Sequence, residues 1–327
     1  MIKQKKINNL LNVIHKEYGI FAPILDGKEL FISKISDIKD IDYSGRIPLN
    51  SWKYLFFPPC EDIFEVNKDD FQEIKHDYPK VCAYNMTVLD LKALGLYDLV
   101  FKDDPYYLKR RRNTLVVGYF ASSPEKKDFK DWTNYATSFY ENTLEHIPFD
   151  IFIMRSKAGN FKVYSGSYKG QDILEKAKIK EFSNVKFVGL IPEEGPDKRM
   201  LELYDVIKNS KDDKLWDELG KICIACGKCS QVCPTCFCFD LEDEPQNNSI
   251  IRKRSCSNCF HPEFTELAGG ASYTGSVKEK LIFWYEHKFV RIPKEYNVPG
   301  CVGCNRCSEV CPVLININKN LSSLKKK

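Results

Sequence analysis

The chain has 327 residues, 43% hydrophobic and 29% charged, with a net charge of +4. That length supports two domains and a sizeable core, and the composition is that of an ordinary globular protein. No apolar run reaches the roughly 18–20 residues that span a bilayer, and a charge this mild argues against a nucleic-acid arm, so Lys3, Lys5, Lys6 and Lys325 to Lys327 read as solvated ends.

In chain order, Ile7, Leu10, Leu11 and Ile14 recur at helical spacing and predict an amphipathic opening helix. Short apolar or β-branched runs follow at Val81–Tyr84, Leu115–Phe120, Phe149–Met154, Phe161–Tyr164 and Val185–Leu190. They alternate with helical patterns around Val88–Leu96, Trp132–His146, Asp172–Glu181 and Asp197–Lys208. Alternation of this kind predicts an α/β domain, with strands packed under helices. Gly166-Ser-Tyr-Lys-Gly170 lacks both the GxGxxG and the P-loop pattern and reads as a turn. His15, His76, His146, His261 and His287 are scattered, with no convergent set for hydrolysis. Cys60 and Cys82 lack ligand spacing and read as core thiols.

Cysteine use changes abruptly after the polar stretch Asn209-Ser-Lys-Asp-Asp213. Residues 1–222 hold only Cys60 and Cys82, whereas 223–311 hold the other twelve of fourteen. A boundary here divides the chain into an α/β part, 1–212, and a mainly helical part, 213–327, an α+β architecture. The second part carries Cys223-Ile-Ala-Cys226-Gly-Lys-Cys229-Ser-Gln-Val-Cys233-Pro234 and its echo Cys301-Val-Gly-Cys304-Asn-Arg-Cys307-Ser-Glu-Val-Cys311-Pro312.

Each run reads Cys-x2-Cys-x2-Cys-x3-Cys-Pro, the spacing by which bacterial-type ferredoxins hold [4Fe–4S] clusters. Three thiolates at intervals of three converge from one tight turn, and the fourth starts a helix leading to the other cluster. One set is then Cys223, Cys226, Cys229 and Cys311, and the other is Cys301, Cys304, Cys307 and Cys233. Gly227, Gly300 and Gly303 are expected to bring backbone close to sulfur. With cysteine at every position, no coordination site is left open for a substrate, which favours electron relay over chemistry at iron.

Structural zinc prefers two separated pairs to one run of four. Disulfides do not suit twelve metal-spaced cysteines in a chain with no secretory signal at its start, which points to a reducing, cytoplasmic setting. Cys229, Cys233 and Cys236 match a radical-SAM triplet, but the second run has no equivalent of Cys236.

Between the runs lies a large insertion, 234–300, with Cys236, Cys238, Cys256 and Cys259. Those four form two pairs that either hold a third iron–sulfur or metal site or pack beside the clusters. Arg252, Lys253 and Arg254 are expected to offset cluster charge or to form a solvated turn. Phe264–Gly270 and Lys278–Phe289 are predicted to be covering helices, with Leu281, Ile282, Trp284 and Tyr285 as apolar cover.

Several stretches together resemble a known family. They are Asp90-Leu-Lys-Ala-Leu94, Asp104-Pro-Tyr-Tyr107, Leu215-Trp-Asp-Glu-Leu219, Cys233-Pro-Thr-Cys-Phe-Cys238, Phe264-Thr-Glu-Leu-Ala-Gly-Gly270 and His287-Lys-Phe289. With the two cysteine runs, they resemble the β subunits of sulfhydrogenases and the A subunits of anaerobic sulfite reductases. The match is specific over 215–315 and eroded over 1–210. Leu89, and the cysteine-free Tyr119-Phe-Ala-Ser-Ser-Pro-Glu125, stand where the family has cysteines, so an N-terminal cluster of that family is expected to be missing here. Ala271-Ser-Tyr273 also departs from the pattern.

The resemblance implies an iron–sulfur relay subunit of a cytoplasmic anaerobic complex. Its partners would be a flavoprotein that oxidises NAD(P)H and a terminal sulfite reductase or nickel–iron hydrogenase, with no nucleic acid or membrane span. The alternative is a free-standing ferredoxin-like carrier or scaffold, and a colourless zinc module is a third.

Lys221, Lys228 and Arg306 stand beside ligand positions, and cations near a cluster favour its reduced form. Lys228→Glu is therefore expected to lower the potential of one [4Fe–4S] cluster in a redox titration. An unchanged potential would refute that placement.

Overall fold

The computed structural model describes residues 1–67, 70–121, 141–156, 158–193, 195–196 and 198–325. Its strands are β1 (Gly19–Asp26), β2 (Glu29–Lys34), β3 (Cys60–Asn67), β4 (Asp70–Glu73), β5 (Val81–Met86), β6 (Thr114–Ala121), β7 (Ile151–Arg155), β8 (Phe161–Ser165), β9 (Ser183–Asn184), β10 (Phe239–Gln246) and β11 (Ser249–Cys256). Seven form one sheet in the order β2-β1-β5-β6-β7-β8-β9. Its centre, β1-β5-β6-β7, is parallel, while β2 and β8 run antiparallel to their neighbours β1 and β7.

Helices bury both faces of that sheet, which is why its central strands read as unbroken apolar runs rather than alternating ones. Cys82, Tyr84, Leu115, Val117, Ile151 and Ile153 share one core with the opening helix Gln4–Glu17, whose Ile7, Leu10, Leu11 and Ile14 point inward as their spacing predicts. The intervening Ala83, Val116 and Phe152 belong to a second core with Leu91, Leu94 and Tyr97 of helix Val88–Val100. Thr87 starts that helix by accepting the Asp90 amide on its hydroxyl. Cys82 is a wholly buried thiol pushed up by desolvation, and Cys60 is exposed.

Several expectations need correction. Val185–Leu190 forms no strand. Only Ser183–Asn184 pairs. Phe187 and Val188 lie exposed, while Val185 and Leu190 pack on two different cores, so the run does not lie along one sheet. The helix expected at Asp172–Glu181 starts earlier, at Tyr168 after the Ser167 cap, and stops at Lys176. Of Trp132–His146, residues 132–140 lie outside the described residues, and Glu141–His146 is a 3₁₀ helix. Residues 122–125 of the cysteine-free stretch Tyr119–Glu125 also fall outside them. Phe264–Gly270 holds only the single turn Pro262–Thr265, because Gly269 and Gly270 take left-handed conformations just after it.

The insertion contributes something its sequence did not announce. β10 and β11 form an antiparallel hairpin, and β11 pairs with β3, giving a second sheet of order β10-β11-β3-β4. The two parts of the chain therefore share a sheet. Arg252, Lys253 and Arg254 serve this sheet rather than a cluster. Arg252 pairs with Asp243 at 2.6 Å, Lys253 with Glu244, and the buried Arg254 with Glu61 and Asp104. Strand pairing places opposite charges across from one another, so their charge is already consumed.

A second link lies deeper. Arg306, at the start of the short helix after Cys304, donates to Asp90 Oδ1 at 2.7 Å and to Oδ2 at 3.2 Å, with both side chains no more than 1% exposed. Its Nε also donates to the Pro48 carbonyl at 2.6 Å. Removing one partner of a buried pair strands the other charge. Asp90→Ala should therefore cost on the order of 3 kcal/mol in chemical denaturation. A loss near zero would mean that Arg306 is satisfied without Asp90.

Candidate metal centre

Both cysteine runs fold alike. The residue before the second cysteine is left-handed in each, Ala225 at φ 52° and Gly303 at φ 74°. So is the residue after it, Gly227 at φ 70° and Asn305 at φ 60°. The short helices Lys228–Gln231 and Arg306–Glu309 follow, each carrying the third cysteine. Left-handed backbone at a non-glycine residue is uncommon, and it recurs here at equivalent positions of a repeat, as expected of a loop shaped by what it surrounds.

Gly300 serves a different purpose from the one its position suggests. A Cβ there would lie 2.3 Å from the Lys288 carbonyl, so the missing side chain lets the loop pack on the covering helix rather than on sulfur.

Cys223, Cys226, Cys229 and Cys311 line one cavity, with Phe260, Leu281, Trp284 and Tyr285 as apolar wall. Cys233, Cys301, Cys304 and Cys307 line a second, and Cys307 borders both. Each cavity thus gathers three cysteines from one run and the last cysteine of the other. Among the described residues, no three His, Cys, Asp or Glu side chains gather tightly enough for one metal ion.

Burial also sets the protonation of the thiols. Burial pushes Cys229 and Cys301 up to about 12, so each keeps its proton at neutral pH until a metal replaces it. Cys233 is the exception. A hydrogen bond from Cys236 and the adjacent Lys288 ammonium hold it well below the usual thiol range against the cost of burial. The residues present fit iron–sulfur clusters.

The family profile described as "4Fe-4S dicluster domain" matches residues 222–315. The whole chain is also similar to sulfhydrogenase 2 subunit beta of Pyrococcus furiosus, 25% identical over 329 residues that cover 95% of this chain and 93% of the relative. Both findings support the family resemblance read from the sequence. No solved structure matches it.

Within the dicluster domain, the first cavity is the outer one. Cys226 is exposed beside Ile224, 62% exposed, while Leu314, 83% exposed, follows Cys311. The second cavity lies against the α/β part, which supplies several groups to the cysteine loops. Lys53 Nζ donates to the carbonyls of Ser230 at 3.0 Å and Cys236 at 3.3 Å, and Tyr97 donates to the Cys236 carbonyl at 2.6 Å. Tyr54 donates to the Gln231 carbonyl at 2.9 Å.

The four remaining cysteines of the insertion have different near neighbours. Cys236 bonds to Cys233, and Cys259 feels the charges of Cys238 and Cys229, whereas Cys256 points to the Pro58 carbonyl at 3.4 Å. Leu89, standing where the resembled family has a cysteine, is buried in the same core as Cys236 and Cys259.

Sequence reasoning overlooked Lys53, Tyr97, Thr235 and Lys288. A signal for Lys288 did exist. It falls on the apolar stripe Leu281, Trp284, Tyr285, Lys288, Ile292 of a helical stretch, where a lysine has no reason to stand unless something anionic faces it. This stretch begins as helix Val277–Glu286 behind a Ser276–Glu279 capping box and continues through a wider turn at His287–Arg291.

The neighbouring His287 is buried against Phe237, and no group among the described residues bonds its Nε2. Burial, aided by Lys288 and Arg291, lowers it to about 4. It therefore folds neutral, and between pH 6.5 and 4 the unfolded chain binds the extra proton. Stability should fall by about 3 kcal/mol as pH drops through that window and be unaffected above it. His287→Leu should remove this part of the acid sensitivity. Denaturation curves at pH 7 and pH 4.5 that shift equally in both proteins would contradict the assignment.

Proposed function

We propose that the chain is the electron-relay subunit of a redox complex and carries two [4Fe–4S] clusters. Cys223, Cys226, Cys229 and Cys311 would hold the first; Cys301, Cys304, Cys307 and Cys233 would hold the second. The observation that carries this reading is the exchange of the last cysteine between the two cavities, with Cys307 bordering both. Clusters bound there supply one-electron transfer, and every ligand position is a cysteine, which leaves no open site for a substrate.

The protein's own groups do the rest. Leu281, Trp284 and Tyr285 keep water from the sulfur, while Lys53 and Tyr97 hold loop carbonyls in place. The exposed side at Cys226 supports exchange with a partner there. In this reading one partner is a flavoprotein subunit that oxidises NAD(P)H. The other is a terminal reductase, and the name of the sulfhydrogenase relative favours a nickel–iron hydrogenase over a sulfite reductase. Among the described residues, no helix is long and apolar enough to cross a membrane.

Anaerobic native purification, with subunits identified by mass spectrometry and metal counted, tests the reading. Co-elution of a flavoprotein and a hydrogenase subunit, with about eight irons per chain, is expected. About twelve irons would fill the third cysteine group as well. A brown protein eluting alone would replace the complex with a free carrier, and a colourless zinc protein would end the cluster assignment. Cys311→Ser and Cys233→Ser should each damage the cluster of the opposite run, as seen by EPR of the reduced protein.

A further inference from the structure

Lys288 is 1% exposed, in the core between the covering helix and the second cavity. Its ammonium donates to Cys233 Sγ at 3.0 Å and to the Thr235 hydroxyl at 3.1 Å, and lies 5.1 Å from the centre of the Trp284 ring. The Thr235 hydroxyl is held in turn, 3.1 Å from the same sulfur and donating to the Gly300 carbonyl at 2.7 Å. Among the described residues, no carboxylate forms an ion pair with Lys288. An ammonium taken wholly out of water is costly unless an anion faces it. The anionic group it touches is the cysteine sulfur.

The other cations near the two cavities differ in kind. Lys53 is also buried and has no carboxylate partner among the described residues, but it donates to the carbonyls of Ser230 and Cys236 and not to a sulfur. Arg306 also borders the second set, through Cys304, but Asp90 neutralises it. Lys221 and Lys228, beside the first set, are exposed, where water screens their charge. Among the described residues, Lys288 is thus the buried ammonium that meets a cysteine sulfur with no carboxylate to cancel it, and it sits on one side of the pair.

We propose that Lys288 is the built-in counter-cation of the second cluster and sets its reduction potential above that of the first, making the inner site the electron-accepting end of the pair. One-electron reduction adds a negative charge to the cluster and its thiolates. A fixed positive charge at hydrogen-bond distance from one of those thiolates stabilises the reduced form more than the oxidised one, and does so strongly because the site is dry. The electron comes from whichever reduced partner or chemical reductant meets the outer, exposed cluster. No proton need move. Lys288 acts here as a tuning residue rather than a catalytic one. The proposal rests on the assignment of Cys233 to the second cluster.

The test is an EPR-monitored redox titration, with dithionite as reductant, of the full chain purified anaerobically with its partners. Native protein is compared with Lys288→Met, which keeps the length and removes the charge, and with Lys288→Arg, which keeps a charge. Iron and sulfide content of each sample checks the two-cluster assignment separately from the role of Lys288. With both clusters present, Lys288→Met should shift one of the two reduction waves downward by at least tenfold in equilibrium constant, about 59 mV for one electron, and leave the other in place. Lys288→Arg should stay close to native.

Unmoved waves in Lys288→Met, or two waves moving equally, would overturn the proposal. If Lys288→Met loses the second cluster while Lys288→Arg keeps it at its native potential, a cation is required there and the proposal stands. Loss in both variants would make Lys288 a structural prop and overturn it.

Discussion

Cys233 and Cys311 each close one cysteine run and border the cavity of the other. This exchange ties the two halves of the repeat into a single unit, because neither set of four is complete within its own loop. The neighbouring structure follows from it. Two loops that curl around sulfur turn their backbone carbonyls outward, and buried carbonyls need donors. Lys53, Tyr54 and Tyr97 of the α/β part supply them at Ser230, Gln231 and Cys236. The first part of the chain is thus the hydrogen-bonding wall of the cluster loops, a tighter role than that of a separate scaffold.

Charge gives the paired sites a direction. The outer set reaches solvent at Cys226 among exposed apolar residues, and the lysines beside it are solvated. The inner set lies against helix Val88–Val100, with Arg306 paired to Asp90 and Lys288 bonded to Cys233. A relay needs its two sites to differ in accessibility, and an electron sink needs its positive charge to be dry. Both conditions fall on opposite sides of one repeat whose backbone is nearly the same in each copy.

Two residues of helix Val88–Val100 tie the α/β part to the cysteine-rich part. Leu89 is buried with Cys236 and Cys259, and its neighbour Asp90 is one half of a buried ion pair. A segment that resembles a ligand loop elsewhere serves here as apolar and ionic contact. The shared sheet through β3 and β11, braced by Glu61, Arg254, Asp104 and Arg110, holds that contact in register.

The cysteine runs were legible because ligand spacing is a local property, set by how far a few residues of backbone can reach. The strands at 81–86, 114–121 and 151–155 and the opening helix were legible for a related reason. Burial on both sides of a sheet, or along one stripe of a helix, writes itself into a short stretch of sequence. By itself, then, the sequence carried the fold class, pointed to iron–sulfur chemistry and named eight candidate ligands.

It did not determine what lies beyond local reach. Pairing of the insertion hairpin with β3 joins residues as far as 195 positions apart, as in Ser255 against Cys60. Arg252, Lys253 and Arg254 looked free to meet a cluster until the partner strand and Glu61 claimed them. Lys288 stood out on an apolar stripe, but its spacing did not say which anion it faces. Only the tertiary structure shows it dry, without a carboxylate partner among the described residues and against one cysteine of one site, because burial and charge pairing belong to the assembled surfaces and not to the strand or helix that carries the residue.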